Sequence, residues 1–329
     1  MPEFIDDAID FAAYLKETDH KTKVKPASEF VQDAKDRLRA RAKSKRTYLP
    51  WTKCNESFEF RLGEVTVWAG QNGHGKTEVT TQVALSVLGQ DEKVCVASFE
   101  MKPVTTIGNM VRMYSGTNPF SPEFQGNDAL TVLDQLYDEF GEWTKGRLWL
   151  YDQTGTAFPA TVLGMVKYCA QELGITHIFI DSLMKCVKAE DDYNAQKDFI
   201  DQLCAISKDC DVHIHLVHHL KKPSKEGDMP DKHDTKGSGS ITDQIDNLMM
   251  VWRNKPKEDM YRMKGTHSTK LSEPDAYIFC RKQRNYDGNA DGEPTISMWR
   301  DRDSSQFLAA SGDSVQYFPC YPHVQTRFQ

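Results

Sequence analysis

The run Gly70-Gln71-Asn72-Gly73-His74-Gly75-Lys76-Thr77 satisfies GxxxxGK[ST] in full. The chemistry that spacing permits is the cradling of a triphosphate. Glycines let the backbone curl so that successive N–H groups face phosphate oxygens. The helix that begins at the end of the run adds a favourable dipole. In such a loop Lys76 reaches the β- and γ-phosphates and the Thr77 hydroxyl ligates Mg²⁺. The run follows the strand-like EVTVWA and opens the helix-like TEVTTQVALSVL, the context the motif requires. Gly70, Gln71, Asn72, Gly73, His74, Gly75, Lys76, Thr77 and Glu78 are therefore expected to bind ATP, or another nucleoside triphosphate, together with Mg²⁺.

Two carboxylates stand where they can serve that loop. Asp181 ends the apolar run THIFID. A carboxylate at such a strand tip, beside the phosphate loop, can hold Mg²⁺ through water, so Thr77 and Asp181 form the expected metal pair. Glu100 follows VCVASF, where it can orient the water that attacks the γ-phosphate or simply act as a helix N-terminal acid. Farther along, Lys282 and Arg284 lie two apart in AYIFCRKQRN, a spacing that aims both at one face of a strand. His213, His215, His218 and His219 crowd into HIHLVHH. An HxH pair on a strand also admits metal ligation, though no suitably placed Cys or Glu completes such a site.

These residues need a scaffold that gathers strand tips at one edge. From about residue 58 the apolar runs EVTVWAG, VCVASF, RLWLYD, THIFID, VHIHLVHH, NLMMVW, AYIFCRK and PTISMW are mostly separated by helical patterns. Near-continuous apolar strands alternating with helices imply a parallel sheet covered on both faces. A chain of 329 residues, 39% hydrophobic and 27% charged, fits one large domain with a small appendage. No run of apolar residues is long enough for a membrane span. The acidic start MPEFIDDAIDF argues against a signal peptide, and eight cysteines without a CxxC pair read as reduced cytoplasmic thiols. The net charge of −7 excludes a uniformly basic surface. It leaves room for nucleic acid along a local path, because charges beyond about 8 Å are screened.

Residues 1–45 are expected to form a helical arm or linker, 46–310 the main domain and 311–329 a tail. Within the arm, residues 1–20 carry six acids and one lysine, with Phe4, Ala8, Phe11 and Leu15 at helical spacing. They read either as a short amphipathic helix or as a loose terminus. Residues 21–53 carry eleven Lys or Arg against three acids. Within them, Ser28 to about Ser44 reads as a helix with Phe30, Val31, Ala34 and Leu38 in a stripe. That helix is either a solvated basic face or an arm that docks on another subunit or on nucleic acid.

The strand-end FEM, the IFIDSL strand, the VHHLKKP strand end, the segment KGSGSITDQIDNLMMVWRN and the late KQRN occur in that order. Over roughly residues 45–300 the chain resembles DnaB-family replicative helicases and the helicase half of phage primase–helicases. The resemblance implies an α/β RecA-like P-loop NTPase fold, hexameric rings and 5′-to-3′ translocation on single-stranded DNA. Glu100 then matches the catalytic glutamate and Asp181 the second-motif aspartate. His219 matches the γ-phosphate sensor, with His218 its rival in a one-residue slip. A histidine there resembles the phage branch. The expected location is the cytoplasm, that of the host if the chain is phage-encoded.

Lys282 and Arg284 match the pair that enters the ATP site of the adjacent subunit, with Arg284 the arginine finger. Two loops match the pore-lining segments. The first carries Lys185 and Lys188; the second carries Lys221, Lys222, Lys225, Lys232, Lys236 and Gly237. The second loop holds five lysines against four acids, so its contacts to phosphate rest on individual side chains. Of the aromatics that serve single-strand binders, only Tyr193 lies in either loop. No zinc ribbon or primase-like domain is recognisable, so a primase, polymerase or loader is expected as a separate partner. The competing functions are a RecA-like recombinase or filament ATPase, and an ATP-switched loader or DNA-binding module.

Overall fold

The computed structural model describes residues 3–4, 9–15, 26–43, 46–118, 121–122, 127–187, 192–220, 239–265, 269–285, 295–316 and 318. Its strands are β1 (Glu3–Phe4), β2 (Val65–Gly70), β3 (Val94–Ser98), β4 (Leu148–Leu150), β5 (His177–Asp181), β6 (His213–His219), β7 (Asn247–Arg253), β8 (Ala276–Gln283), β9 (Thr295–Arg300) and β10 (Phe307–Leu308). The helices are α1 (Ala27–Lys43), α2 (Lys76–Gly89), α3 (Pro103–Ser115), α4 (Asn127–Thr144), α5 (Pro159–Gln171), α6 (Tyr193–Asp209), α7 (Gly239–Gln244) and α8 (Lys255–Lys264). None of the described helices is long and apolar enough to cross a membrane.

The strands form one sheet in the order β1-β4-β3-β5-β6-β2-β7-β8-β9-β10. Neighbours from β1 to β7 pair in parallel; β8, β9 and β10 extend the sheet antiparallel. Parallel strands need covered faces, and the chain supplies two apolar cores. Alternation along β2 sends Val65, Val67 and Ala69 to the core under α5 and α6. Trp68 goes to the core under α2, α3 and α4. Every residue of β2 and β5 is buried, which is why those runs read as unbroken apolar stretches.

The start of the chain differs from the helical spacing. Glu3 and Phe4 add a strand beside Trp149 and Leu150, and Phe11–Leu15 forms a 3-10 turn. The Phe11 backbone lies so close to α5 that a Cβ on Gly164 would come within 2.2 Å of the Phe11 carbonyl oxygen. Edge pairing and this close seat replace the amphipathic helix. Helix α1 forms as its stripe predicts, yet Phe30, Val31 and Leu38 stay 49%, 51% and 66% exposed. At the other end, Phe318 is buried and the Gln316 side chain donates to the Pro50 carbonyl.

The strand histidines divide. His177, His213 and His215 are buried beneath Phe60, with Phe179 stacked on His215 at 4.0 Å. Trp68 Nε1 donates to His215 Nδ1 at 3.2 Å, so His215 Nε2 carries the hydrogen it gives to His177 Nδ1 at 3.1 Å. His213 Nδ1 donates to the Arg61 carbonyl at 2.6 Å, and its Nε2 accepts from the Thr66 hydroxyl at 2.9 Å. The rings are spent on core hydrogen bonds rather than on a metal.

Burial, reinforced by the neighbouring histidines, pushes His177 and His215 well below the ordinary histidine value. It takes His213 down to about 4 against the favourable Arg61 carbonyl. The folded rings therefore stay neutral where an unfolded chain binds protons. Stability from this source is complete above pH 6.5 and falls on acidification below it. At about 1.4 kcal/mol per ring per pH unit, three rings cost about 4 kcal/mol at pH 5.5 relative to pH 8. Denaturant midpoints at the two pH values check this; coincident midpoints would contradict a neutral network.

Candidate nucleotide-binding and catalytic site

Four parallel strands end together and define the site. Ser98 pairs with Asp181 across β3 and β5, and Gly70 pairs with His219 across β2 and β6. The loop after β2 then turns into α2. Gly73 and Gly75 have φ of +75° and +83°, a region that favours glycine. Gly70 is needed for space: a Cβ there would stand 2.6 Å from the Val251 carbonyl oxygen of β7. His74 fastens the loop to β7, its Nδ1 accepting from the Arg253 backbone N–H at 3.2 Å. Burial first, and then Lys255 and Lys76, push His74 down to about 4, so the ring is neutral.

Lys76 turns back along the loop and donates to the carbonyls of Gly70 and Gln71, both at 2.9 Å. Burial lowers its ammonium to about 8, opposed by Asp181 and Glu100. Thr77 Oγ1 donates to Asp181 Oδ2 at 2.7 Å. Burial raises the Asp181 carboxyl, and its Oδ1 is buried with no hydrogen-bond partner. A hydroxyl beside a carboxylate with a spare buried oxygen suits a hard, oxygen-seeking cation such as Mg²⁺.

Glu100 Oε1 accepts from Ser182 Oγ at 3.0 Å and from His219 Nε2 at 3.2 Å. Ligand atoms of Glu100, Asp181 and His219 all lie within 4.8 Å of one another. His219 meets Glu100, whereas His218 is buried and pushed down to about 4, chiefly by burial.

Beside Gly75 a cavity of about 290 Å³ is lined by His74, Glu78, Arg253, Arg300 and Phe307, among others. It shares Arg253 and Arg300 with a larger cavity of about 630 Å³ that reaches Tyr261 and Arg302. Glu258 holds Arg253 through both carboxylate oxygens, and Glu78 holds Arg300 likewise. The two guanidiniums end β7 and β9. Arg253 closes the segment KGSGSITDQIDNLMMVWRN and Arg300 lies beyond KQRN, and spacing assigns neither a role. Ser182 stands in the run IFIDSL, where its residue type and spacing likewise assign it no role.

Lys282 and Arg284 lie away from this cluster. Asn247, which pairs with Gln283, is level with Thr66 near the opposite end of β2 from Gly70. At about 3.3 Å per residue the two levels are on the order of 13 Å apart along the strands. There Lys282 Nζ donates to the carbonyls of Thr242 and Asp243 at 2.6 and 3.1 Å. Arg284 Nη2 donates to those of Asp243 and Gln244 at 2.9 and 3.1 Å, and Nη1 pairs with Asp246 at 3.2 Å. Lys185 sits half-buried in the 3-10 turn after Asp181. Lys188, Lys221, Lys222, Lys225, Lys232, Lys236 and Gly237 lie outside the described residues.

A family described as AAA domain matches residues 58–225, just over half the chain. Among solved structures, one described as an ATPase domain superposes with a TM-score of 0.68 at 17% identity. That match covers 87% of this chain and 99% of the other. A DnaB-like replicative helicase, solved with an account of its interactions with primase, gives a TM-score of 0.65 at 16% identity, covering 87% of this chain and 67% of the other. At such identities the likeness is one of fold, and the fold is the RecA-like P-loop NTPase arrangement expected from the sequence.

Proposed function

Because the chain belongs to the AAA-domain family, matched across residues 58–225, we propose that it is an ATP-driven DNA helicase motor. It hydrolyses ATP at the seams of a hexameric ring and moves 5′ to 3′ along single-stranded DNA. The observation that carries this reading is the place of Lys282 and Arg284. Two strand spacings and roughly 13 Å along the sheet separate them from their own phosphate loop, beyond side-chain reach. A cation pair so placed can serve a triphosphate only in a neighbouring copy.

In this mechanism the loop from Gly70 to Glu78 holds the triphosphate, and the nucleoside enters the cavity between Arg253 and Arg300. Thr77 and Asp181 would hold Mg²⁺, which would neutralise charge developing on the phosphate oxygens. Glu100 accepts the proton of the attacking water as the bond from the γ-phosphorus to the bridging oxygen breaks, releasing ADP and phosphate. His219, in contact with Glu100, reports the loss of the γ-phosphate. Arg284 and Lys282 of the neighbour stabilise the transferring group.

The strand path runs over Lys185 and Lys188, and over Lys221, Lys222, Lys225, Lys232, Lys236 and Gly237. Phe158, 68% exposed, adds an aromatic surface. Its loop is tied to the Lys185 carbonyl through the Ala157 N–H at 2.8 Å. Exposed aromatic rings beside cations suit unpaired bases. A primase, polymerase or loader completes the set of proposed partners, in the cytoplasm.

The test is ATP hydrolysis with and without single-stranded DNA, followed by displacement of a strand from a duplex with a 5′ tail. Stimulated hydrolysis with displacement is expected. Stimulation with filaments rather than rings in negative-stain images would favour a recombinase. ATP binding without displacement would favour a switch-type loader.

A further inference from the structure

We infer that Ser182 is a positioning residue that aims Glu100 and joins it to the segment carrying Lys185; this rests on Glu100 serving hydrolysis, as proposed above. Ser182 is fully buried, and its hydroxyl donates to Glu100 Oε1 at 3.0 Å. The same oxygen accepts from His219 at 3.2 Å. Two donors on one carboxylate oxygen fix the rotation of the carboxyl group and leave Oε2 as the oxygen that meets water. Glu100 is 39% exposed at its side chain, so little packing holds it, and these two bonds set its direction.

The backbone of Ser182 carries the second half of the argument. Its carbonyl accepts from the Lys185 N–H at 3.0 Å and from the buried Cys186 thiol at 3.6 Å. The Lys185 carbonyl is in turn held by the Ala157 N–H at 2.8 Å. Ser182 thus grips Glu100 with its side chain and closes the turn Leu183–Lys185 with its main chain. A strand bound at Lys185 therefore bears on the residue that aims the glutamate. The route needs no change in the phosphate loop, and it is distinct from the histidine contact because it enters through a different residue and a different strand end.

Ser182→Ala is the test, made in the full chain. The expected result is a kcat about tenfold lower, with KM and the affinity for a fluorescent ATP analogue unchanged, and a smaller stimulation by single-stranded DNA. Ser182→Thr, which keeps the hydroxyl, is expected to recover most of the rate. In a Glu100→Ala background, Ser182→Ala is expected to have no further effect, because a residue that acts only through Glu100 is silent without it. Wild-type turnover in Ser182→Ala overturns the inference. So does a Thr variant no better than Ala, or an undiminished loss in the Glu100→Ala background. Those failures leave the hydrolysis reading standing. Full turnover in Glu100→Ala itself overturns both.

Discussion

Arg284→Ala is expected to bind ATP with near wild-type affinity and to hydrolyse it about 10³- to 10⁵-fold more slowly, the range in which arginine fingers act. Binding survives because Lys76, Thr77, Asp181 and Glu100, which surround the phosphate loop, all belong to the same copy. Turnover falls because charge that builds on the transferring phosphoryl group loses its counter-charge from the next copy. The local role of Arg284, on the α7 carbonyls and Asp246, makes a control necessary. Arg284→Ala and Lys76→Ala subunits, each inactive alone, should recover activity when mixed. Some seams then combine an intact loop from one with an intact finger from the other. Mixtures as inactive as their components, or full activity in Arg284→Ala alone, would remove the trans arrangement.

Glu100→Gln should lower turnover about 10²- to 10⁴-fold, the usual contribution of a positioned general base. The amide keeps the shape, and its carbonyl oxygen still accepts from Ser182 or His219, so the surrounding hydrogen bonds survive. What is lost is an oxygen able to take up a proton. Analogue binding and ring assembly should be unchanged, which separates this variant from one that disturbs the fold. Single-turnover hydrolysis at saturating ATP measures the effect directly. A variant within a few-fold of wild type would move the base elsewhere in the site.

Much of this arrangement is legible in the sequence because its physics is local or periodic. The phosphate loop is a local motif, and the buried strands announce themselves as apolar runs since both faces of a parallel sheet are covered. Asp181 and Glu100 are readable because strand ends are punctuated by the change from apolar to polar residues. Helix α8 is harder: none of its residues is buried, so it carries no apolar period. Its signals are Asn254, which caps the Lys257 N–H, and Pro256 in the first turn. Strand β1 has two residues, too few for any period.

The contacts of Ser182, Arg253 and Arg300 are not readable at all. Each depends on which strands become neighbours, and Arg300 meets Glu78 across 222 residues of sequence. Spacing likewise tells that Lys282 and Arg284 share a face, but only the antiparallel register of β8 on β7 says at which end of the sheet they stand.

The margins of the sheet carry a last consequence. Among the described residues it closes on one side with β1 and on the other with β10, each two residues long. So short a border exposes few unpaired main-chain groups and is a poor template for a strand from another molecule. Copies of this chain are thereby discouraged from fusing into a continuous ribbon, and the proposed contact between copies is left to side chains and loops. Unlike a zipped backbone, such a junction can loosen and re-form in small steps, a mechanical freedom that a machine with moving joints requires.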